Sequence, residues 1–394
     1  MSSNSKKAVL ISCFDWYEKR LIGVRANLIE RGYDVKVLLS DFDHIKKSTI
    51  KERYPECIYY SVPPYSKNIS FSRVKSHLSF GKSVASFLEE FKPDFIYALI
   101  PPNNLSQYCL QYKEKNPGTK YIIDVIDLWP ESFPITFFKK NPLTKIWKNM
   151  RDFGLKSADG IVLECDLYKE SLVASSLPSL MTTIRLYSNY SHEELILAHQ
   201  LSEKHVFDKS KMKVKFAYIG SLNNITNYFD IISIIRVFLD RRWDVTITII
   251  GDGQNRKQFV KDLKDMGCKV NFLGLMFENV SKIKAINDCD FAFNMMIDSV
   301  KVGLTMKSLD YLSIGIPMIN SIKGDTWEII EKHNIGLNYT GDSDLLFKKI
   351  QSIDYSIVRN NVYSALNNFF TYQAFENQIK LFLDEVLLER EKDV

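Results

Sequence analysis

Short apolar runs alternate with amphipathic stretches along the whole chain. Ala8–Ser12 and Asp34–Leu39 predict strands around a helix over 16–32. A helix over 71–91, strands at Asp94–Leu99 and Lys120–Ile126, a helix near 139–156 and a strand at Gly160–Leu163 follow. Unbroken Val/Ile/Leu runs of this length suit strands buried on both faces, and βα alternation implies a parallel sheet with helices on each side. The second half repeats the scheme, with strands at Val214–Ile219, Asp244–Ile250, Val270–Leu273, Phe291–Met295 and Pro317–Asn320. Between the halves, 200–212 loses the periodicity, gains charge and reads as a linker. The expected fold class is therefore α/β: two Rossmann-like domains in series, at 1–195 and 205–371. The end of the chain, 372–394, is strand-free and places Phe375, Ile379, Phe382, Val386 and Leu387 at helical spacing.

A length of 394 residues exceeds one ordinary core and agrees with two domains. With 45% hydrophobic and 25% charged residues and only 12 Pro, the chain is not a disordered or low-complexity one. A net charge of +5 is too small for this length to argue for a nucleic-acid partner. Cys13, Cys57, Cys109, Cys165, Cys268 and Cys289 are scattered without zinc-type spacing, and read as reduced thiols of a cytosolic protein. The apolar run after the N-terminus is far shorter than the ~20 residues that span a bilayer, and no cleavage site follows it.

Ligands of open parallel sheets bind outside the carboxyl ends of the strands, so the loops just after strands are the ones to read. "YIGSLNN", 218–224, offers Gly220 for close backbone approach and Ser221 as a donor or cap, ahead of a helix whose free N–H groups would face an anion. An ordinary tight turn explains it equally. "IIGDGQNRKQF", 249–259, has Gly251 and Gly253 in a strand-to-helix turn, then Arg256, a candidate to neutralise a phosphate. "GLTMKSLDYLSIGIPMI", 303–319, is the most informative. Gly303-Leu304-Thr305 would present backbone N–H groups, Lys307 would hold a diphosphate, and Asp310, one turn on, would accept from a ribose diol. The plainer reading of Lys307 and Asp310 is a surface ion pair.

"DLWPES", 127–132, leaves a buried-looking strand with an acid, a Trp, a Pro and a second acid. It reads as a helix start, with Pro130 near the first position and Trp129 anchored in the core. Directly after it, "FFKKNPLTKIWKNMRDFGLK", 137–156, mixes Phe, Ile, Trp, Met and Leu with Lys and Arg, as an amphipathic helix on an anionic membrane does. A helix packing its aromatic face on the sheet reads the same.

The ordered set "YIGSL … IIGDG … FLG … KSLDYLSIGIP" resembles glycosyltransferase family 4 and its relatives of the GT-B fold, and "DLWPES" is similar to the corresponding stretch of bacterial members that build capsule or O-antigen sugars. The resemblance covers nearly the whole chain. It implies two Rossmann-like domains facing across a cleft, with the last helix, 372–394, crossing back to the N-terminal domain. It also implies a retaining transferase that moves a hexose or acetamidohexose from a nucleotide-sugar, here a UDP-sugar, to a glycan or lipid-linked acceptor. The donor would lie on Gly220, Ser221, Gly251, Gly253, Arg256, Gly303, Leu304, Thr305, Lys307 and Asp310. Asp127 and Lys307 would be catalytic, with Trp129 and Glu131 on the acceptor side. No DxD triplet stands where a metal would help, so metal-independent chemistry without a cofactor is expected. A cytoplasmic location follows, extending to the inner face of the plasma membrane if 137–156 binds there.

Several family features are replaced. Of two signature glutamates eight positions apart, the second falls on Asp310 and the first on Val302, with Asp298 nearby. "SCFDWYEKR" lacks the usual glycines, and Asn224-Ile225-Thr226-Asn227 stands for Lys-Gly. His44 and His77 read as surface or packing residues. Two other readings stay open: a catalytically silent partner of an active transferase, and a nucleotide-sugar 2-epimerase of the same fold.

Overall fold

The computed structural model describes residues 5–14, 18–51, 54–68, 70–132, 142–172 and 180–388. It divides into one unit of Met1–Leu186 with Phe375–Val394 and a second of Tyr187–Ala374.

The first unit carries β1 (Lys7–Ser12), α1 (Glu18–Glu30), β2 (Asp34–Ser40), a small hairpin of β3 (Phe42–Asp43) and β4 (Ser48–Thr49), β5 (Cys57–Tyr60), α2 (Phe71–Phe91), β6 (Phe95–Ile100), α3 (Asn103–Lys115), β7 (Lys120–Val125), α4 (Pro142–Ser157), β8 (Gly160–Leu163), α5 (Asp166–Leu172) and β9 (Met181–Thr183). Its main sheet runs β5-β2-β1-β6-β7-β8-β9, with every pair parallel. The unbroken apolar run of β6 follows from burial along its full length.

The second unit holds α6 (His192–Ser202), β10 (Lys213–Ile219), α7 (Tyr228–Asp240), β11 (Asp244–Ile250), α8 (Arg256–Asp265), β12 (Lys269–Gly274), α9 (Asn279–Ile286), β13 (Phe291–Asn294), α10 (Met306–Ile314), β14 (Met318–Asn320), α11 (Asp325–His333), β15 (Gly336–Asn338), α12 (Ser343–Ser352) and α13 (Tyr355–Phe369). Its parallel sheet runs β12-β11-β10-β13-β14-β15. In both sheets the first strand sits inside and the order reverses beside it, at β1/β6 and at β10/β13. Such switch points open a crevice at the carboxyl ends.

The expected strands all form, within a residue or two of their expected ends. The short strands β5, β9 and β15 and the hairpin were not expected. Their few residues carry too little periodicity, and partners distant in sequence decide them. Residues 200–212, expected as a linker, lie inside the second unit. Helix α6, begun by a reciprocal capping box of Ser191 and Glu194, covers the first three of these residues, and Phe207 beyond it is buried in the second unit's core.

The last helix, α14 (Tyr372–Leu388), belongs to the first unit from Phe375 on. Its Phe382 ring packs so closely on Gly160 that a Cβ there would lie 2.9 Å from it, and Asp384 pairs with Arg31. The Phe375 ring lies 5.4 Å from the Arg20 guanidinium. Arg20 is itself buried, its Nε donating to Asp124 Oδ2 at 2.5 Å and Nη2 to Oδ1 at 3.0 Å, while the Tyr97 hydroxyl donates to Oδ2 at 2.6 Å. This network ties α1, β6, β7 and α14 together. Among the described residues no helix is long and apolar enough to cross a membrane.

Candidate functional site

In the second unit, β10 and β13 pair only at Phe216↔Phe291 and Ala217↔Ala292. Beyond that the strands part, and the Tyr311 hydroxyl takes over the role of a ladder partner. It accepts from Ile219 N at 2.8 Å and donates to Phe293 O at 3.0 Å. Beside this opening, Asn294, Asn320 and Asn338 stand in register on β13, β14 and β15 and bond amide to amide, at 2.9 Å each. The ladder extends into the start of α10: Thr305 Oγ1 donates to Asn294 Oδ1 at 3.1 Å, and Asn294 Nδ2 to Ser308 Oγ at 3.1 Å. Thr305 is the N-cap of α10, accepting from Ser308 N. The Gly303 carbonyl is held by Thr326, from N at 2.9 Å and from Oγ1 at 2.6 Å, and Leu304 is buried. The 303–305 loop is thus built from behind, with the N-terminus of α10 fixed in place.

Lys307 stands in the first turn of α10. Its side chain lies over the Tyr218 ring at 5.4 Å and alongside Gly220, where a Cβ would be 3.7 Å from Lys307 Cδ. No carboxylate of the described residues lies within ion-pair distance of it. Burial pushes its ammonium down to about 8, so it stays charged at pH 7. The plainer alternative, a surface pair between Lys307 and Asp310, does not form. Asp310 Oδ1 instead accepts from the Tyr190 hydroxyl at 2.8 Å and Lys282 Nζ at 3.0 Å.

Gly251 and Gly253 are required by the chain itself. With φ 138° at Gly251, a Cβ there would fall 1.9 Å from the Gly220 carbonyl oxygen, and one at Gly253 would fall 2.3 Å from that of Leu222. Close approach was expected, and the partner that makes it is the neighbouring loop. Leu222 N donates to Asp252 O at 2.9 Å and Asn255 N to Leu222 O at 3.0 Å, which staples the two loops together. Gly220 has φ 135°, and Ser221 is exposed, with its carbonyl accepting from the Tyr218 and Thr226 hydroxyls. Arg256, expected for a phosphate, pairs with Asp252 at 3.0 Å.

In the first unit "DLWPES" forms a turn after β7, not a helix start. Trp129 is buried, and its Nε1 donates to Asp127 Oδ2 at 2.5 Å. Burial raises the Asp127 carboxyl above the usual range. Glu131, expected on the acceptor side, is committed to structure. Both its oxygens accept from the fully buried Arg151, at 2.8 and 2.9 Å, and Lys148 stands 3.4 Å away. Arg151 also donates to the Trp129 carbonyl at 2.9 Å. Asp152 also accepts from Arg151, at 2.8 and 2.9 Å, so Glu131→Gln weakens two charge-assisted hydrogen bonds but leaves the guanidinium one counter-charge, and is expected to cost about 2 kcal/mol in urea unfolding. An unchanged midpoint would free Glu131 for a binding role.

The basic aromatic stretch is divided. Lys139 and Lys140 lie outside the described residues. Of α4, Arg151 and Leu155 are buried and Trp147 meets Trp129 at 5.7 Å, while Lys145, Ile146 and Phe153 are exposed. Sequence reading placed α2 and gave His77 a surface or packing role but did not single out Arg73; both are buried against Phe14, Tyr65 and Trp129. Their i, i+4 spacing was the available signal. Among the described residues no group of three or more His, Cys, Asp or Glu side chains gathers to hold a metal.

Residues 213–353 match the family model described as "Glycosyl transferases group 1". A comparison with curated sequences returns no match. Among solved structures, the chain is similar to sucrose-phosphate synthase from Thermosynechococcus elongatus, with a TM-score of 0.68 and 12% identity over 98% of this chain and 100% of that one. It is also similar to Anabaena HepE in complex with UDP and glucose, with a TM-score of 0.61 and 13% identity over 96% and 100% of the two chains. A third is the lipopolysaccharide outer core galactosyltransferase WaaB, with a TM-score of 0.62 and 13% identity over 98% and 99%. At these identities the likeness establishes the fold.

Proposed function

From a chain with the GT-B glycosyltransferase fold, whose residues 213–353 match the group 1 glycosyl transferases, we propose that it transfers a hexose or acetamidohexose from a UDP-sugar, with retention, to a glycan or lipid-linked acceptor of a cell-surface polysaccharide. The observation that carries this reading is Lys307: a charged ammonium without a carboxylate partner, on the first turn of α10, beside the Gly220 turn at the β10/β13 switch point. A diphosphate there would meet the ammonium and the free N–H groups of the helix start together.

In this reading Lys307 and the α10 N-terminus stabilise the charge that develops on the leaving diphosphate, the larger electrostatic contribution in such chemistry. A departing phosphate oxygen takes the proton of the acceptor hydroxyl, so no strong general base is required. Thr305 and the asparagine ladder hold the helix start still while that charge grows. Asp310, already accepting from Lys282 and Tyr190 through Oδ1, keeps Oδ2 for a donor hydroxyl. HepE bound to UDP and glucose supports the choice of nucleotide, and WaaB the class of product. Exposed Ile146 and Phe153 beside Lys145 on α4 suit a peripheral contact with an anionic membrane.

The test is a thermal-shift screen against UDP, GDP, ADP, CMP and their sugar conjugates, with and without EDTA. UDP or a UDP-sugar at a hundred times its dissociation constant should stabilise the protein by about 2.7 kcal/mol, with EDTA making no difference. No shift with any nucleotide would sink the transferase reading and favour a silent partner.

A further inference from the structure

We propose that the first unit holds an anion at the carboxyl edge of its sheet, between Arg73 and His77 of α2, and that in the transfer reaction this anion is a phosphate or carboxylate of the acceptor. The second clause rests on the function proposed above; the anion site does not.

Among the described residues the first unit buries three arginines, Arg20, Arg73 and Arg151. Arg20 has the Asp124 carboxylate and Arg151 has that of Glu131, each gripped by two nitrogens. Arg73 has none within ion-pair distance among the described residues. It is 6% exposed, its Nη1 donates to the Asn68 carbonyl at 2.8 Å, and its Nε is buried with no hydrogen-bond partner. Its guanidinium lies 4.4 Å from the Trp129 ring centre, 5.6 Å from Tyr65 and 5.8 Å from Phe14. Aromatic faces attract a cation but do not neutralise it, and a buried charge without a counter-ion is costly.

His77 follows one helical turn later on the same face. It is 5% exposed, and its Nε2 is buried with no partner. Its ring stacks on Trp129 at 6.0 Å and meets Phe14 at 5.7 Å. Two unsatisfied nitrogens, both more than nine-tenths buried, therefore share one aromatic box. Around them the field is positive: Lys47 lies over the Tyr65 ring at 4.9 Å. Asp127 is the acid whose field reaches Arg73, but its Oδ2 is engaged by Trp129 Nε1. A phosphate or carboxylate would satisfy Arg73 and His77 at once, and a guanidinium fork is suited to either.

The experiment is histidine ring NMR on the full chain, titrated with methyl phosphate and with glucuronate. The background is Lys307→Ala, which removes anion binding in the second unit. We expect a saturable shift of the His77 signal, assigned with His77→Gln, that is the same with and without Lys307. Arg73→Gln should weaken it at least tenfold, and Arg73→Lys should keep part of it. A response to methyl phosphate assigns a phosphate-bearing acceptor, and one to glucuronate an acidic sugar. No saturable shift with either probe in the wild-type chain overturns the site, whether or not the variants fold. So does an undiminished shift in folded Arg73→Gln. Donor binding by thermal shift is read separately, so a failed donor site and a failed anion site give different results.

Discussion

Lys307→Ala should lower turnover by a factor on the order of 10²–10³ and abolish the thermal shift given by the donor nucleotide, while the unliganded protein is at least as stable as wild type at pH 7. Removing a single preorganised donor from a developing oxyanion costs that much in other enzymes. The sparing of stability follows from the surroundings of the side chain, which makes no ion pair that its loss would orphan. The pH dependence supplies a second readout. Burial holds the Lys307 ammonium at about 8 rather than 10.5, so donor affinity should fall as pH rises through 8. Between 8 and 10.5 the unfolded chain binds more protons than the folded one, so Lys307 adds stability as pH rises there. Partial exposure limits this contribution to about 1 kcal/mol. Lys307→Ala should flatten both trends. Full donor binding by the variant, measured calorimetrically, would remove Lys307 from the site.

Arg20→Met should destabilise the chain by about 3–5 kcal/mol, the penalty for leaving one half of a buried ion pair uncompensated. Asp124 would keep only the Tyr97 hydroxyl, in a position with no exposure to water. The double variant Arg20→Met/Asp124→Leu should recover most of the loss, because a buried pair replaced by apolar groups of similar volume is often neutral. Chemical denaturation of the single and double variants reads both values. If the double variant is as unstable as the single, the pair is stabilising in its own right and the account in terms of an orphaned charge is wrong.

The sequence by itself determined the two parallel sheets. A strand buried on both faces must be apolar without interruption, and β6 carries that mark throughout, β1 over Ala8–Ile11 and β10 over Phe216–Ile219. It also determined the 303–311 motif, because N-cap, lysine and aspartate lie within three turns of one another and local geometry alone places them. Charge pairing was not legible. Arg20 and Asp124 are 104 positions apart, and Arg151 reaches back 20 positions to take Glu131 from the role its loop suggested. Lys282, 28 positions before Asp310, is the lysine that pairs with it, and nothing local to either residue announces that contact. Gly251 and Gly253 did announce a close approach, but the backbone they accommodate, Gly220 to Leu222, comes from another strand's loop. Arg73 and His77 look like ordinary helix residues until the tertiary structure closes aromatic rings around them and leaves their nitrogens without partners. Periodicity records how much of a residue is buried. Which group it meets there depends on segments distant in sequence, and only the folded chain brings those together.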